Sequence, residues 1–176
     1  MGHPKKQKKK YESPRKLWDK SRIEKDKKIL DEFGLRRKRE LWRFESILRE
    51  FRRRARELQA KRDETKEKDL FEKLSGMGIR CTTLDDVLSI NLENILSRRL
   101  QTIVYKKGIA NSPRHARQLI VHGHVTIKDR KISWPSYIVK RNEEDAISLR
   151  PEIAAKMIHA EKAAGELTDV RKTLAE

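Results

Sequence analysis

A stripe of apolar residues inside an arginine-rich segment constrains the fold more than any other feature of the sequence. Six apolar residues recur at alternating spacings of three and four positions: Leu41, Phe44, Leu48, Phe51, Ala55 and Leu58. Side chains with this spacing lie on one face of an α-helix. The sequence therefore predicts a helix over residues 38–60 that buries this stripe and leaves its arginines on the other faces.

Positive charge is concentrated in two separate segments of the 176-residue chain. The 44 Lys and Arg residues exceed the 27 Asp and Glu residues, which gives a formal net charge of +17. Residues 1–75 carry 27 basic and 15 acidic side chains, net +12, and residues 91–150 carry 12 and 5, net +7. This excess predicts a polyanionic partner, either nucleic acid or an anionic membrane surface. Because the chain has no run of about 18 apolar residues, we do not expect it to span a membrane.

The first 20 residues are predicted to form a basic arm, because their few apolar residues cannot build a core. We expect the arm to be disordered alone and ordered on a polyanion. Its aromatic residues Tyr11 and Trp18 could either stack on bases or anchor the arm to a protein surface. A short helix is expected over residues 21–33, ended by Gly34. The arm contributes five lysines as candidate RNA contacts: Lys5, Lys6, Lys8, Lys9 and Lys10.

Three consecutive arginines, Arg52, Arg53 and Arg54, lie on the predicted helix over residues 38–60. An arginine-rich face can be a solvated surface with ion pairs to glutamates four residues away. We do not expect all three arginines to find acidic partners locally. The cluster is therefore interpreted as a phosphate-binding surface, with the solvated face as the alternative.

A series of shorter helices is predicted in the middle of the chain. One covers residues 69–74. Thr82 and Thr83 each precede an aspartate by three residues, which is the spacing of a capping box with Asp in place of Glu. Asn91 is expected to cap a longer, continuous helix that runs through about Lys106.

A helix followed by a small sheet is predicted over residues 108–149. Ser112 before Pro113 is a strong helix start, because the serine side chain can accept free backbone N–H groups and proline fits the first turn. The helix is expected to run to about His122, with Gly123 after its end.

Beyond this helix the period of the apolar residues changes to two, as in a β-strand. Strands are expected at residues 125–128, 131–134, 137–139 and 145–149, with a turn at Asp129–Arg130. A small sheet that follows a mostly helical, basic N-terminal region places the chain in the α+β class.

The residues from Arg98 to Leu149 contain the run RRLQTIVYKKGIANSPRHARQLIVHGHVTI, followed by PSYIV and DAISL. This pattern closely resembles the S-four domain, an RNA-binding domain named for the fourth protein of the small ribosomal subunit. The flanking segments MGHPKKQKKKYESP and KRELWRFESILREFRRRAREL resemble the archaeal and eukaryotic branch of the ribosomal family that carries this domain. One departure is Gln101, which follows Leu100 where the family commonly has Asp.

The resemblance implies an RNA-binding surface, of the type called αL, that docks on folded ribosomal RNA. Together with the charge and apolar patterns, the extent of the match predicts four parts: a basic N-terminal arm and extension (1–37), a helical domain (38–97), the S-four domain (98–150) and a C-terminal helical tail that packs on the body (151–176). By position, the expected RNA contacts are Arg99, Ser112, Arg114, His115, Arg117, Gln118, His122, Lys128 and Arg130.

The function that the resemblance implies is that of a structural constituent of the small ribosomal subunit. Such a protein binds the 5′ part of the small-subunit rRNA early and nucleates assembly of the subunit body. The resemblance also implies contact with the neighbouring S-five protein, an influence on decoding accuracy and a cytoplasmic, ribosomal location.

No cofactor, metal or small-molecule substrate is expected. His122 and His124 are two positions apart, but no carboxylate cluster is near and the single cysteine, Cys81, cannot complete a zinc site. Two alternatives stay open: a non-ribosomal RNA chaperone or membrane-surface protein, and a fragment of an RNA-modifying enzyme that carries an S-four domain. The chain lacks a phosphate-cradling glycine loop and a nucleophile elbow, which disfavours the enzyme.

Overall fold

The computed structural model describes residues 9–151 and shows an α+β fold, as the sequence predicts. Lys5, Lys6, Lys8 and the predicted C-terminal tail beyond residue 151 lie outside the described residues. In chain order the elements are α1 (Lys20–Glu32), α2 (Lys38–Ala60), α3 (Glu64–Gly76), α4 (Leu84–Ser89), α5 (Leu92–Leu96), α6 (Leu100–Lys106), α7 (Pro113–Val121), β1 (Val125–Ile127), β2 (Arg130–Lys131), a 3-10 helix (Arg141–Glu143) and β3 (Ile147–Leu149).

α2 buries the predicted apolar stripe and has the predicted bounds. Each of the six stripe residues is at most 7 % exposed, and they form the centre of a cluster that α1, α3, α4 and α5 complete. The prediction for residues 38–60 is therefore confirmed. It succeeds because the periodicity of a long amphipathic helix is a local property of the sequence.

The turn after α1 contains a glycine, Gly34, which the close approach of α7 requires. Gly34 has φ +60°, a left-handed conformation that is unfavourable for a residue with a Cβ atom. A Cβ atom at this position would lie 2.7 Å from Pro113 Cβ and 2.9 Å from Gln101 Nε2. The turn after α1 thus lies directly against the start of α7, and the predicted role of Gly34 in ending the first helix is confirmed.

Gly34→Ala is expected to lower the free energy of unfolding by at least about 2 kcal/mol, because left-handed alanine and overpacking against Pro113 both destabilise. Gly108→Ala is the matched control, since Gly108 has φ +72° but no other described atom lies within 4 Å of an added Cβ. Urea denaturation of both variants measures the difference. Equal losses would show that Gly34 and Pro113 are not in close contact.

The continuous helix predicted over residues 91–106 is wrong, because the structure divides it into α5 and α6. Between them Arg99 is extended, with ψ 142°, and forms an isolated antiparallel bridge with Ile138. The Leu100 N–H donates to the Tyr137 carbonyl at 2.8 Å instead of to a helical partner. Non-local pairing therefore replaces the helical hydrogen bonds, and the local sequence carries no sign of it.

The antiparallel sheet has the strand order β2-β1-β3. Ile127 pairs with Arg130, so the turn residues are Lys128 and Asp129, with φ 48° and 63°. The predicted turn at Asp129–Arg130 is therefore wrong by one position, and β1 ends at Ile127 rather than at Lys128. A two-residue hairpin loop of this type needs positive φ at both positions, which aspartate tolerates better than most residues. The predicted strands over 131–134 and 137–139 are also corrected, to the two residues of β2 and the single bridge described above.

Within residues 9–151, two clusters of buried apolar side chains lie on either side of a polar junction. The first cluster draws on residues 33–96 and the second on residues 100–147. At the junction the side chain of Gln101 is fully buried, and its Nε2 donates to the carbonyl groups of Gly34 and Pro113, both at 2.9 Å. This amide ties the turn after α1 to the start of α7. The four-part division of the chain stays a prediction.

Candidate nucleic-acid interface

α7 combines a capped N-terminus with one buried face. Ser112 Oγ accepts a hydrogen bond from the His115 N–H at 3.1 Å, and Pro113 occupies the first turn, as predicted. The remaining free N–H groups of a helix start carry partial positive charge that favours an anion. The buried face consists of Ala116, Leu119 and Ile120.

Five of the predicted RNA contacts are exposed on α7 and on the hairpin of β1 and β2. The Arg114 side chain is 82 % exposed, and its nearest acidic group, on Asp31, is 3.5 Å away. An exposed ion pair of this kind stabilises little, so the guanidinium is available to a phosphate. His115 is half-buried. We call the five exposed residues the α7–hairpin surface: Arg114, Gln118, His122, Lys128 and Arg130.

Lys131 is a further candidate that the sequence did not single out. A Cβ atom at Gly123 would overlap the Lys131 side chain, so this side chain passes over the C-terminal end of α7. A cation is favourable there because the helix dipole is negative at that end. The contact also packs the hairpin against α7, which joins the two parts of the α7–hairpin surface.

Arg99 is predicted to contact RNA, and the structure corrects this expectation. Its side chain has no exposed area, and Nη2 donates to Glu40 Oε2 at 2.8 Å. The guanidinium also lies 5.0 Å from the centre of the Phe44 ring. Among the described residues, its Nε and Nη1 have no hydrogen-bond partner. Arg99 is therefore an internal cation with no surface that a phosphate can reach.

The carboxylate of Glu40 also binds Arg117 on α7. Nη1 and Nη2 of Arg117 donate to the two Glu40 oxygens at 3.1 and 2.8 Å, a bidentate geometry that strengthens the pair. The Arg117 side chain is 24 % exposed. The Glu40 carboxylate on α2 thus binds both Arg99, the residue before α6, and Arg117, in the middle of α7. The contact of Arg117 with RNA stays a prediction, and its charge is already paired within the protein.

Burial and ion pairing shift the pKa values of Glu40 and Arg99 in opposite directions. Burial raises the pKa of the Glu40 carboxyl, but hydrogen bonds and charge from Arg117 and Arg99 outweigh it, and the net pKa lies below its ordinary value of 4.5. Burial lowers the pKa of the Arg99 guanidinium, which Glu40 offsets only in part. An arginine stays protonated at neutral pH even so. The cluster therefore holds one negative and two positive charges.

Each of the three consecutive arginines on α2 has a partner in the structure. Arg53 and Arg54 form ion pairs with glutamates four positions away on the same helix. Nη2 of Arg52 donates to the Ile90 carbonyl at 2.7 Å. As expected, not all three arginines pair with acidic residues. Each nevertheless has a partner within the protein, so the cluster is less available to a phosphate than the sequence suggests. Exposed helix pairs are weak enough to exchange for a phosphate, so contact of Arg53 and Arg54 with RNA stays a prediction, while Arg52 is largely committed to Ile90.

The described end of the arm is docked on α2. The Tyr11 ring centre lies 6.0 Å from that of Trp42, and the carboxylate of Glu12 lies 2.5 Å from Nη1 of Arg49. Of the two alternatives for the arm aromatics, Tyr11 therefore takes the anchoring role in the structure. Of the five arm lysines predicted to contact RNA, Lys9 and Lys10 lie within the described residues, and both are exposed.

The two histidines after α7 stack on each other. The ring centres of His122 and His124 are 5.9 Å apart and the ring planes differ by 9°. Within residues 9–151, no group of three or more His, Cys, Asp and Glu side chains is placed to hold a metal ion. No helix in the same part of the chain is both long and apolar enough to cross a bilayer.

Sequence reasoning did not predict the roles of two residues that organise this region, Glu40 and Gln101. Glu40 is the single acid in the run RRKRELWR, next to the buried Leu41. An isolated carboxylate in a cationic run beside a core position is a signal that could have indicated an internal ion pair. For Gln101 no local signal exists, because Gly34 and Pro113 are 67 and 12 positions away.

Comparison with known proteins agrees with the S-four resemblance. A family model described as the S4 domain matches residues 98–145. The chain is 50 % identical over 157 residues to the small ribosomal subunit protein uS4 of Sulfurisphaera tokodaii, covering 86 % of this chain and 89 % of that protein. The uS4 proteins of Hyperthermus butylicus and Ignicoccus hospitalis are 48 % and 47 % identical, each over 86 % of this chain and over 89 % and 94 % of their own lengths. With this identity over most of both chains, the protein belongs to the uS4 family of small ribosomal subunit proteins.

Proposed function

We propose that the protein is a structural constituent of the small ribosomal subunit and binds small-subunit rRNA through the α7–hairpin surface. The observation that carries the proposal is the set of exposed cationic and polar side chains on a capped helix and the adjoining hairpin. The names of the relatives support a ribosomal, and hence cytoplasmic, place for this chain. They also favour a structural role over an enzymatic one.

The groups of the α7–hairpin surface suit different parts of an RNA. The Arg114 guanidinium is a planar fork that matches phosphate oxygens, and it lies in the first turn of α7, where the helix dipole favours an anion. The Gln118 amide can meet a base edge or a 2′-hydroxyl group. Lys128, Arg130 and Lys131 extend the positive surface along the hairpin. The surface thus combines phosphate binding with some ability to read RNA structure.

The buried contacts under α7 support recognition of a folded RNA. Glu40 holds α7 through Arg117, and Gln101 holds its first residue through the Pro113 carbonyl. A surface fixed by packed and hydrogen-bonded residues is positioned before its ligand arrives. Such a rigid surface suits the shape and phosphate pattern of a folded RNA rather than a flexible strand.

The family resemblance extends the proposal to finer roles. We infer that the target is the 5′ part of the small-subunit rRNA, that binding nucleates assembly of the subunit body, and that the S-five protein is a neighbour. An influence on translational accuracy would follow from that position. The two basic segments of the chain support the use of more than one rRNA contact region.

Affinity for a folded 5′ rRNA fragment, measured over a series of salt concentrations, tests the proposal. Each phosphate contact should contribute about 0.7–0.9 to the slope of log affinity against log salt concentration. Several contacts therefore predict a steep loss of affinity as salt rises. An absent or salt-independent interaction would contradict rRNA binding through this surface.

Arg114→Glu is expected to weaken binding to the fragment about tenfold or more and to reduce the salt slope by about one contact. Because Arg114 is exposed, this variant should keep its stability, whereas the same change at the paired Arg117 should lower it. Arg80→Glu is the control, since Arg80 is exposed and lies outside both basic segments and outside the α7–hairpin surface. An equal loss of affinity in the two variants would show that binding follows net charge rather than this surface.

A further inference from the structure

Trp18 is the most exposed large hydrophobic side chain among residues 9–151, with 90 % of its area open to solvent. A tryptophan offers one of the largest apolar surfaces of any side chain, and leaving it in water forgoes the stabilisation that its burial would bring. Tyr11, the other aromatic of the arm, is packed against Trp42. Of the two arm aromatics, Tyr11 therefore packs within the protein and Trp18 stays exposed to solvent.

The segment that carries Trp18 is fixed to α2 on both sides. Before it, the Glu12 N–H donates to Ser46 Oγ at 3.1 Å, and the Glu12 carboxylate pairs with Arg49. After it, Nη2 of Arg22 on α1 donates to both oxygens of the Glu45 carboxylate, at 3.1 and 2.9 Å. Trp18 is thus presented at a defined place on the protein by a short connection with two anchored ends.

The surroundings of Trp18 are cationic. Arg15, Lys16 and Lys20 are all exposed, and none of the three takes part in an ion pair with another described residue. The single acid in this stretch, Asp19, accepts a hydrogen bond from the Ser21 hydroxyl at 3.0 Å. An open aromatic ring beside unpaired cations is the combination with which proteins stack unpaired bases and bind the adjacent phosphates.

We propose that Trp18 is a stacking platform for an unpaired nucleobase, with Arg15, Lys16 and Lys20 binding the neighbouring phosphates. The identity of the RNA as ribosomal rests on the proposed function above, whereas the platform itself rests on exposure and charge. The site lies on the arm and α1 side of the molecule and adds a contact outside the α7–hairpin surface. It uses stacking, which does not depend on base sequence.

Trp18→Ala in the full chain is expected to weaken binding to the folded rRNA fragment about tenfold, since stacking of a base on an aromatic ring contributes to affinity and is lost on alanine substitution. The salt slope should stay unchanged, because stacking releases no counterions. Trp18→Phe should retain most of the affinity. Trp134→Ala is the matched control: it removes a 69 % exposed tryptophan whose two neighbours on either side are uncharged, and its affinity should equal that of the unmodified protein.

A short single-stranded oligonucleotide provides an independent probe of the same site. Its binding should quench indole fluorescence, and Trp18→Ala, but not Trp134→Ala, should remove most of the quench. Failure to bind the folded fragment together with this quench would overturn the proposed ribosomal RNA target and leave the stacking platform standing. Unchanged affinity and unchanged quench in Trp18→Ala would overturn the platform. Unchanged rRNA affinity with reduced incorporation into subunits would also overturn it, in favour of a protein neighbour.

Discussion

Glu40→Ala is expected to lower the free energy of unfolding by about 3 kcal/mol or more, because it leaves the buried Arg99 cation without a charged partner. The loss exceeds that of an ordinary surface ion pair, since Arg99 has no exposed area and cannot turn to water. Arg117 loses both of its hydrogen bonds in the same variant. Urea denaturation followed by circular dichroism measures the change.

The matched control for this prediction is Asp31→Ala. Asp31 is also an acidic partner of an arginine, Arg114, but both side chains of that pair are more than half exposed. Its removal is expected to change stability by less than about 1 kcal/mol. Similar effects of Glu40→Ala and Asp31→Ala would contradict the role of Glu40 as the partner of a buried cation.

The contribution of Glu40 also has a defined pH dependence. Because the pKa of Glu40 is lower in the folded protein than its ordinary value of 4.5, its stabilisation is complete above about pH 4.5 and is lost as the pH falls through the folded pKa. The stability difference between the unmodified protein and Glu40→Gln should therefore shrink on acidification. A difference that stays constant from neutral pH to well below pH 4 would contradict this assignment.

Leu119→Asp is expected to prevent residues 98–150 from folding, because it places a carboxylate without a partner in the second apolar cluster. Leu119 is 6 % exposed and belongs to the buried face of α7. Loss of a buried leucine alone costs about 2–5 kcal/mol, and the buried charge adds several more. The sum is comparable with the whole stability of a small domain. Amide hydrogen exchange of α7 and β1 measures the effect.

Gln118→Asp, at the neighbouring exposed position of α7, is the control for this variant. It introduces the same carboxylate and should leave hydrogen exchange close to that of the unmodified protein. A folded, protected Leu119→Asp variant would show that this face of α7 does not pack into the core.

How much of the fold the sequence predicts depends on the range of the interactions that decide it. α2 is predicted to its ends because a long apolar stripe is local, and α7 is predicted because Ser112 and Pro113 mark its start. The break between α5 and α6 is not predictable in this way, since it is caused by pairing of Arg99 with Ile138. The exact position of the hairpin turn is not predictable in this way either, because Lys128 is an unusual residue at positive φ.

In the candidate interface, too, local features are predictable from the sequence and long-range contacts are not. Exposed residues such as Arg114 are identified from helix phase and charge, and the structure leaves them available. Arg99 is also an arginine in an equally basic segment, but it is buried and paired with a glutamate 59 positions away. Charge in the sequence indicates a polyanionic partner. Which arginines face that partner is decided by tertiary contacts, here chiefly by Glu40.

Washing small ribosomal subunits in high salt and then sedimenting them decides whether the protein is an integral constituent. At about 1 M salt the Debye length falls to about 3 Å, which screens exposed charge pairs and releases loosely bound basic proteins. If the protein is a structural constituent held on folded rRNA by several surfaces, it should remain with the subunit in a constant ratio. Its complete release into the supernatant, with intact subunits in the pellet, would contradict that role.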